Sequence, residues 1–214
     1  MKRIAMMRVF LLAAGGLDEE NFCMSPETTF HDPQLRELYK QIGPIKEHAR
    51  QVAGELSPEQ MKWRRVAKSW SVGECLEHLV ISADLYYDRI DPLLENAQKT
   101  DIPQPWRATI MGRLLIKSVT TSRRLKQPKH FRPPPEPRAD VLGAFLESQD
   151  RLAKLLSKAD GVDLTRTRLA SPVSRVFRLN LGDCFTVLVL HAKRHLHQAA
   201  RVAESRRLPM TDKE

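Results

Sequence analysis

Trp70-Ser71-Val72-Gly73-Glu74-Cys75-Leu76-Glu77-His78-Leu79 spells out the start of a long helix. Ser71 and Glu74 have capping-box spacing. The serine oxygen takes one orphan backbone N–H of the first turn, and the glutamate reaches back to another. Val72, Leu76, Leu79, Ala83, Ile90 and Leu94 then recur at helical spacing, which predicts an element from Ser71 to about Asn96. His78 lies on this helix, on a face shared with Glu74, Cys75, Ser82, Leu85 and Arg89.

Moving outward, four more helical stretches follow from the same rules. Asp32-Pro33 places an N-cap before a proline at the first helical position, and Leu35, Leu38, Ile42, Ile45 and Ala49 continue the period. Gly43-Pro44 should bend or interrupt that element. Ser57-Pro58-Glu59-Gln60 starts a short helical turn. A third, shorter helix is expected from about Arg107 to Val119, with Ile110, Met111, Leu114 and Leu115 turned inward. A fourth spans about Arg138 to Lys158 and stops at Gly161. The fifth starts at Asn180, with Asp183 in its first turn, and continues to about Glu204.

Between the third and fourth helices, Pro128, Pro133, Pro134, Pro135 and Pro137 crowd the stretch Gln127 to Pro137. That density predicts an extended strap across the bundle and excludes helix. No strand pattern longer than a few residues competes. The expected fold is all-α: a four-helix bundle whose long crossover connection holds a short extra helix and the proline-rich strap.

The fifth helix carries the second informative stretch, His191-Ala192-Lys193-Arg194-His195-Leu196-His197-Gln198. At about 100° per residue, His191 and His195 stack one turn apart, on the face of Cys184, Val187, Leu188, Ala199 and Val202. Gln198 extends that row. Arg194 flanks it, where its head could meet solvent or an anionic ligand. His197 points elsewhere. Two imidazoles so placed can share one divalent metal, or they can be ordinary core histidines; the residues alone leave both open. His78 is the third candidate, and three neutral histidines would leave coordination positions open for chemistry.

The remaining residues weigh less. Glu74 is accounted for by the capping box, although it could orient His78. Cys75 and Cys184 are expected to pack as small core residues and not to bind metal. Trp70 is expected to staple the helix start more than to line a pocket. Trp63 and Trp106 read as packing.

Composition sets the frame. The 214-residue chain is 42% hydrophobic and 29% charged, which suits one folded domain. Its cysteines (Cys23, Cys75 and Cys184) form no C-x-x-C pair, so neither a disulfide framework nor a cysteine zinc site is expected, and the cytoplasm is the expected compartment. Lys2-Arg3 ahead of Val9–Ala14 imitates a secretory leader, but Arg8 shortens the apolar run and Asp18-Glu19-Glu20 follow without a cleavage site. Residues 1–30 are therefore expected to be a disordered or mis-assigned extension, with Met24 an alternative start, and residues 31–208 to form the domain. No run is long enough to span a bilayer.

The formal net charge is +9. Nine basic residues and one acid, Glu136, fall between Arg107 and Arg138. Such a stretch can be a solvated face or can attract anionic partners, but it holds no nucleic-acid motif.

The two histidine-bearing stretches also carry a family resemblance. Trp70–Leu79 looks like the "W-S-x-x-E-x-L-x-H-L" opening of the second helix of DinB-like proteins. His191–Gln198 is similar to their "H-x-x-R-H-L-x-Q" stretch on the last helix. Leu56–Gln60 and Leu179–Asp183 are also similar to family segments, and the resemblance spans roughly Asp32 to Glu204. It implies membership of the DinB/YfiT-like superfamily: a four-helix bundle holding a divalent metal, nickel or zinc, through His78, His191 and His195. Members with assigned activities include mycothiol- and bacillithiol-dependent transferases and isomerases.

The implied activity is transfer of a low-molecular-weight thiol to an electrophilic small molecule, with Arg89, Arg194 or the basic stretch holding the thiol's anionic parts. A metal-dependent hydrolase and a non-catalytic metal-binding partner protein are the alternatives, and a homodimer is compatible with each. For the partner protein, Arg123, Arg124 and Lys126 would carry the docking charge.

Overall fold

The computed structural model describes residues 30–99, 105–121, 128–174 and 176–207. The expectations for residues 1–29, and for Arg123, Arg124 and Lys126, lie outside the described residues. Four helices enclose one core: α2 (Ile42–Ala53), α4 (Val72–Glu95), α6 (Val141–Ala159) and α7 (Leu181–Arg207). α4 packs on α6 and α7, and α2 packs on the same two. α2 and α4 therefore stand diagonally across the bundle, as do α6 and α7. The core between them is continuous, with Tyr87, Phe145, Leu152, Leu156, Phe185 and Leu196 fully enclosed. Burying side chains of this size contributes about 1.5–3 kcal/mol each.

Two shorter helices precede the second bundle helix. α1 (Pro33–Tyr39) is capped by Asp32, whose carboxylate accepts from the backbone of Gln34 and Leu35. The first helical stretch is thus divided, with the break at Lys40-Gln41 and not at Gly43-Pro44. Pro44 sits in the first turn of α2, where its missing N–H would have had no partner in any case. α3 (Pro58–Lys62) and α4 both open with complete capping boxes, Ser57 with Gln60 and Ser71 with Glu74. Glycine stops α6 as expected: Gly161 has φ 81°, a backbone region closed to most side chains.

The crossover between α4 and α6 departs from expectation in two ways. Its helix, α5, spans Ile110–Thr120, three residues later than predicted, because Thr109 is the cap that binds the Gly112 N–H. Ile110 and Leu114, expected inward, are 71% and 56% exposed, while Met111 and Leu115 pack on the core. The strap is also not wholly extended, since Lys129–Phe131 form one 3-10 turn. These three residues carry no proline, and Pro128 ahead of them fits an N-terminal flank.

α5 is fastened to α7 at both ends. The Asp183 carboxylate accepts from the Thr109 hydroxyl at 2.6 Å, and a Cβ on Gly112 would lie 2.1 Å from that carboxylate, so only glycine fits. The Asn180 side chain accepts from Asp183 N and donates to the Arg107 carbonyl. At the far end the Arg194 guanidinium donates to carbonyls of Ser118, Val119 and Thr121, a cation on the negative end of a helix. A two-stranded antiparallel hairpin, β1 (Arg168–Ala170) with β2 (Arg178–Asn180), pairs Leu169 opposite Leu179 and leads into α7. β2 packs against α5. Among the described residues no helix is long and apolar enough to cross a membrane.

Candidate metal centre

The capping box fixes where α4 begins, and so places His78 two turns into the helix. α7 brings His191 and His195 to the same level from across the core. The three rings meet edge to face, with centroids 4.6–4.9 Å apart. His78 Nε2 and His191 Nε2 are 3.1 Å apart, and one candidate ligand nitrogen from each ring lies within 4.8 Å of the others. Two nitrogens on one tetrahedral zinc, each about 2.0–2.1 Å away, would sit about 3.3 Å apart. The observed spacing therefore fits a shared divalent ion after small movements.

The outer nitrogens settle which atoms are available. His78 Nδ1 is 2.7 Å from the Phe131 carbonyl, which can only accept, so the proton is on Nδ1 and the Nε2 lone pair is free. Ser82 Oγ lies 3.3 Å from the same nitrogen. His195 Nδ1 meets Gln198 Oε1 at 3.0 Å, an arrangement that frees its Nε2 in the same way. Such outer partners hold ligating imidazoles in tautomer and orientation.

Electrostatics agree. His78 and His195 are buried, and His191 is packed among protein atoms with part of its ring open to a cavity. Burial pushes His78 down to about 4, against a smaller upward pull from the Phe131 carbonyl. Burial, aided by the His78 and Arg194 charges, pushes His195 down to about 3. His191 is held well below its ordinary value by burial and then by its two neighbouring imidazoles. All three are neutral at physiological pH, the form that binds metal.

A cavity of about 330 Å³ opens on the triad, within the range of small-ligand sites. α5 supplies Leu115, Ser118 and Val119 to its wall; the strap supplies Pro128 and Phe131. Trp70 covers the histidines, its ring 4.8 Å from His78 and 5.6 Å from His195. It lines the pocket, which corrects its expected role as a helix staple. Lys68 stands at the rim and Arg194 on the wall.

The matched region is the one just described. A sequence model of the DinB superfamily matches residues 46–199, most of the chain and all three histidines. The chain belongs to the DinB superfamily. Neither the curated proteins nor the solved structures contain a match to it.

Within this DinB-superfamily bundle, the other sequence candidates fall outside the triad. Glu74 completes its capping box and takes both Nε and Nη2 of Arg64 at 2.7 Å, so it serves the helix start and not His78. Cys75 and Cys184 are fully buried, their thiols pushed upward by burial, and neither joins the histidine cluster. Gln198, which extends the histidine row, supports His195 and also lines the cavity. Arg89 does not line the cavity. Arg194 does, but its guanidinium is engaged with the end of α5.

Sequence reasoning missed the Phe131 carbonyl, because a main-chain acceptor has no residue signature. It also missed the latch beside it. Glu77, 5% exposed at its side chain, accepts from the Arg138 backbone N–H and from its guanidinium at 2.7–3.1 Å. That pair anchors the strap to α4 one residue before His78. The glutamate-then-histidine order of Glu77-His78 was the available signal.

Proposed function

We propose that this chain is a metal-dependent enzyme that transfers a low-molecular-weight thiol onto an electrophilic small molecule. His78, His191 and His195 would hold the divalent cation, nickel or zinc. The observation that carries this reading is the cavity lining. It offers three neutral imidazoles, apolar walls and two cations, with no cysteine and no carboxylate among the described residues.

A divalent cation at the triad would supply Lewis acidity that favours the deprotonated form of a sulfur acid at neutral pH. The protein's own groups prepare that position. The Phe131 carbonyl and Gln198 keep the protons of His78 and His195 on the far side of their rings, so lone pairs point inward. Trp70, Leu115, Val119, Phe131 and Val187 exclude water and give an apolar electrophile a surface to lie on. Lys68 and Arg194 make the local potential positive, which favours an anionic thiol over a neutral one.

The lining also weighs against the hydrolytic alternative. A cation at the triad could itself bring a bound water near neutrality, but the leaving group of an ester or amide also needs a proton donor, ordinarily a carboxylic acid or a free histidine, and the cavity offers neither once the triad is engaged. A thiol, with an ordinary value of about 8.5, needs far less help. The nucleophile must come from outside, because the chain's described thiols are sealed in the core. Such thiols belong to reducing compartments, which is consistent with a cytoplasmic location.

Protein stripped with chelator and reloaded with Ni²⁺ or Zn²⁺ should conjugate a model electrophile with bacillithiol, mycothiol or glutathione, and His78→Ala should not. Conjugation no faster than in the stripped protein would remove the reading. Cleavage of esters or amides without any thiol would replace it with the hydrolase.

A further inference from the structure

The two exposed leucine-type side chains of α5 stand among cations. Ile110 and Leu114 are one turn apart on its outer face, and Arg107, Arg113 and Lys117 are exposed at the neighbouring positions of the same stripe. No acidic residue occurs between 105 and 135. Asp183, whose carboxylate lies against the helix, is buried beneath its first turn and bound to Thr109. The hairpin that packs on α5 through β2 adds exposed Val176 (85%) and Phe177 (41%), with Arg168 and Arg178 exposed beside them.

We infer that the outer face of α5 docks on an anionic lipid surface. Cations attract the headgroups, and apolar side chains set between them enter the acyl boundary, the two contributions that hold interfacial helices on membranes. The apolar members select this partner over two others. A nucleic acid would use the cations but would gain nothing from exposed isoleucine, leucine and valine, and the face offers one aromatic for stacking. A second copy docking the same face would bring two copies of one cationic stripe together with no carboxylate of that stretch to offset them. The inner face of the same helix lines the cavity with Leu115, Ser118 and Val119, so docking would bring the cavity wall against the membrane. The inference does not depend on which reaction the cavity performs.

The test is co-sedimentation of the full-length protein with vesicles of phosphatidylcholine alone and of phosphatidylcholine mixed with phosphatidylserine. Binding should favour the mixed vesicles and weaken with added salt. Arg113→Glu with Lys117→Glu should lower the partition by at least about twentyfold, two cations at about fivefold each. Ile110→Ser with Leu114→Ser should lower it by about tenfold. All four sites are exposed, so both variants should keep the wild-type melting temperature and metal affinity. They also share the wild-type N-terminus, so any loss belongs to α5.

Partition equal in wild type and both variants would overturn the proposal, as would indifference to lipid charge. Duplex DNA binding lost only in the charge variant, without vesicle binding, would assign the face to nucleic acid instead. A wild-type dimer that Ile110→Ser with Leu114→Ser dissociates in the absence of vesicles would assign it to self-association.

Discussion

Two histidine clusters share α7, and only one has the makings of a site. His191 and His195 meet His78 with ring centroids under 5 Å, and His197 meets His48 of α2 at 5.2 Å, nearly as close. The difference lies in what surrounds the rings. In the first cluster, burial keeps the imidazoles neutral, the outer nitrogens of His78 and His195 have protein acceptors, and a cavity opens beyond. In the second, His197 is exposed, no hydrogen bond fixes either ring among the described residues, and the cavity of the triad does not reach them. Proximity of histidines is therefore not sufficient. What the triad adds is an acceptor holding the far-side protons of His78 and His195, and a cavity that gives a ligand access to the near nitrogens.

The largest effect that could break this comparison is on metal affinity. Alanine at His78, His191 or His195 should each weaken Ni²⁺ and Zn²⁺ binding by more than about 100-fold, whereas His48→Ala and His197→Ala should leave it within error. Calorimetric titration of the five variants decides it. Equal affinity in wild type and His78→Ala would mean that the triad is only a packing arrangement.

The outer partners should matter next. Gln198→Ala frees the His195 ring to rotate, and Arg138→Ala releases the strap that holds the Phe131 carbonyl on His78. Each should cost about tenfold in metal affinity, with the helical signal unchanged in circular dichroism. Gln198→Glu keeps an acceptor at that place and should restore most of the loss. If both variants bind like wild type, the tautomer argument fails while the triad survives.

A third effect concerns acid. The ordinary imidazole value is about 6.5, and the folded values of His78 and His195 are about 4 and about 3. Between those limits the unfolded chain takes up protons that the folded chain refuses. Stability of the metal-free protein is therefore untouched above about pH 6.5 and falls as pH drops through the window, for His78 alone by at most on the order of 3 kcal/mol. Melting curves in chelator across this range should show the fall, and His78→Asn should flatten it. For the same reason, proton competition with metal in the folded state should set in below the ordinary imidazole range. A melting temperature that rises on acidification would contradict the burial of the triad.

The smallest effect is expected on the crossover. Ile110→Ser should change stability by less than about 0.5 kcal/mol, since that side chain already faces water. Leu115→Ser, on the packed side of the same helix, should cost more than about 1 kcal/mol. Chemical denaturation of the two variants gives the contrast, and equal costs would restore the inward orientation that periodicity suggested.

α4 and α7 were legible because each states its start in capping residues and then repeats one apolar stripe for more than five turns. Helical geometry turns the spacing of His191 and His195 into a shared face, while the choice of His78 as their third partner came from the family resemblance of the two stretches and not from geometry. α5 was misread for a definite reason. Ile110, Met111, Leu114, Leu115, Ile116 and Val119 leave almost no side of a short helix polar, so no phase can be chosen from period alone. What chose it was Asp183 on α7 locking Thr109 and Gly112, a contact more than 70 residues away. The 3-10 turn of the strap was hidden among prolines that flank it without entering it. Trp70 was underrated because a tryptophan beside a helix start looks the same whether it covers side chains or a cavity.

The division of labour between bundle and crossover has an evolutionary consequence. The histidines and Gln198 come from bundle helices whose positions are set by the core. Leu115, Ser118, Val119, Pro128 and Phe131 come from one uninterrupted stretch between α4 and α6. Among its described residues, that stretch lies against one side of the core, chiefly on α7, and is tied down by side chains of Asp183, Asn180, Arg194 and Glu77. Insertion, deletion or recombination within it could exchange the outer wall of the cavity in one genetic event. The imidazoles would be left where they are, while the molecules admitted to them changed.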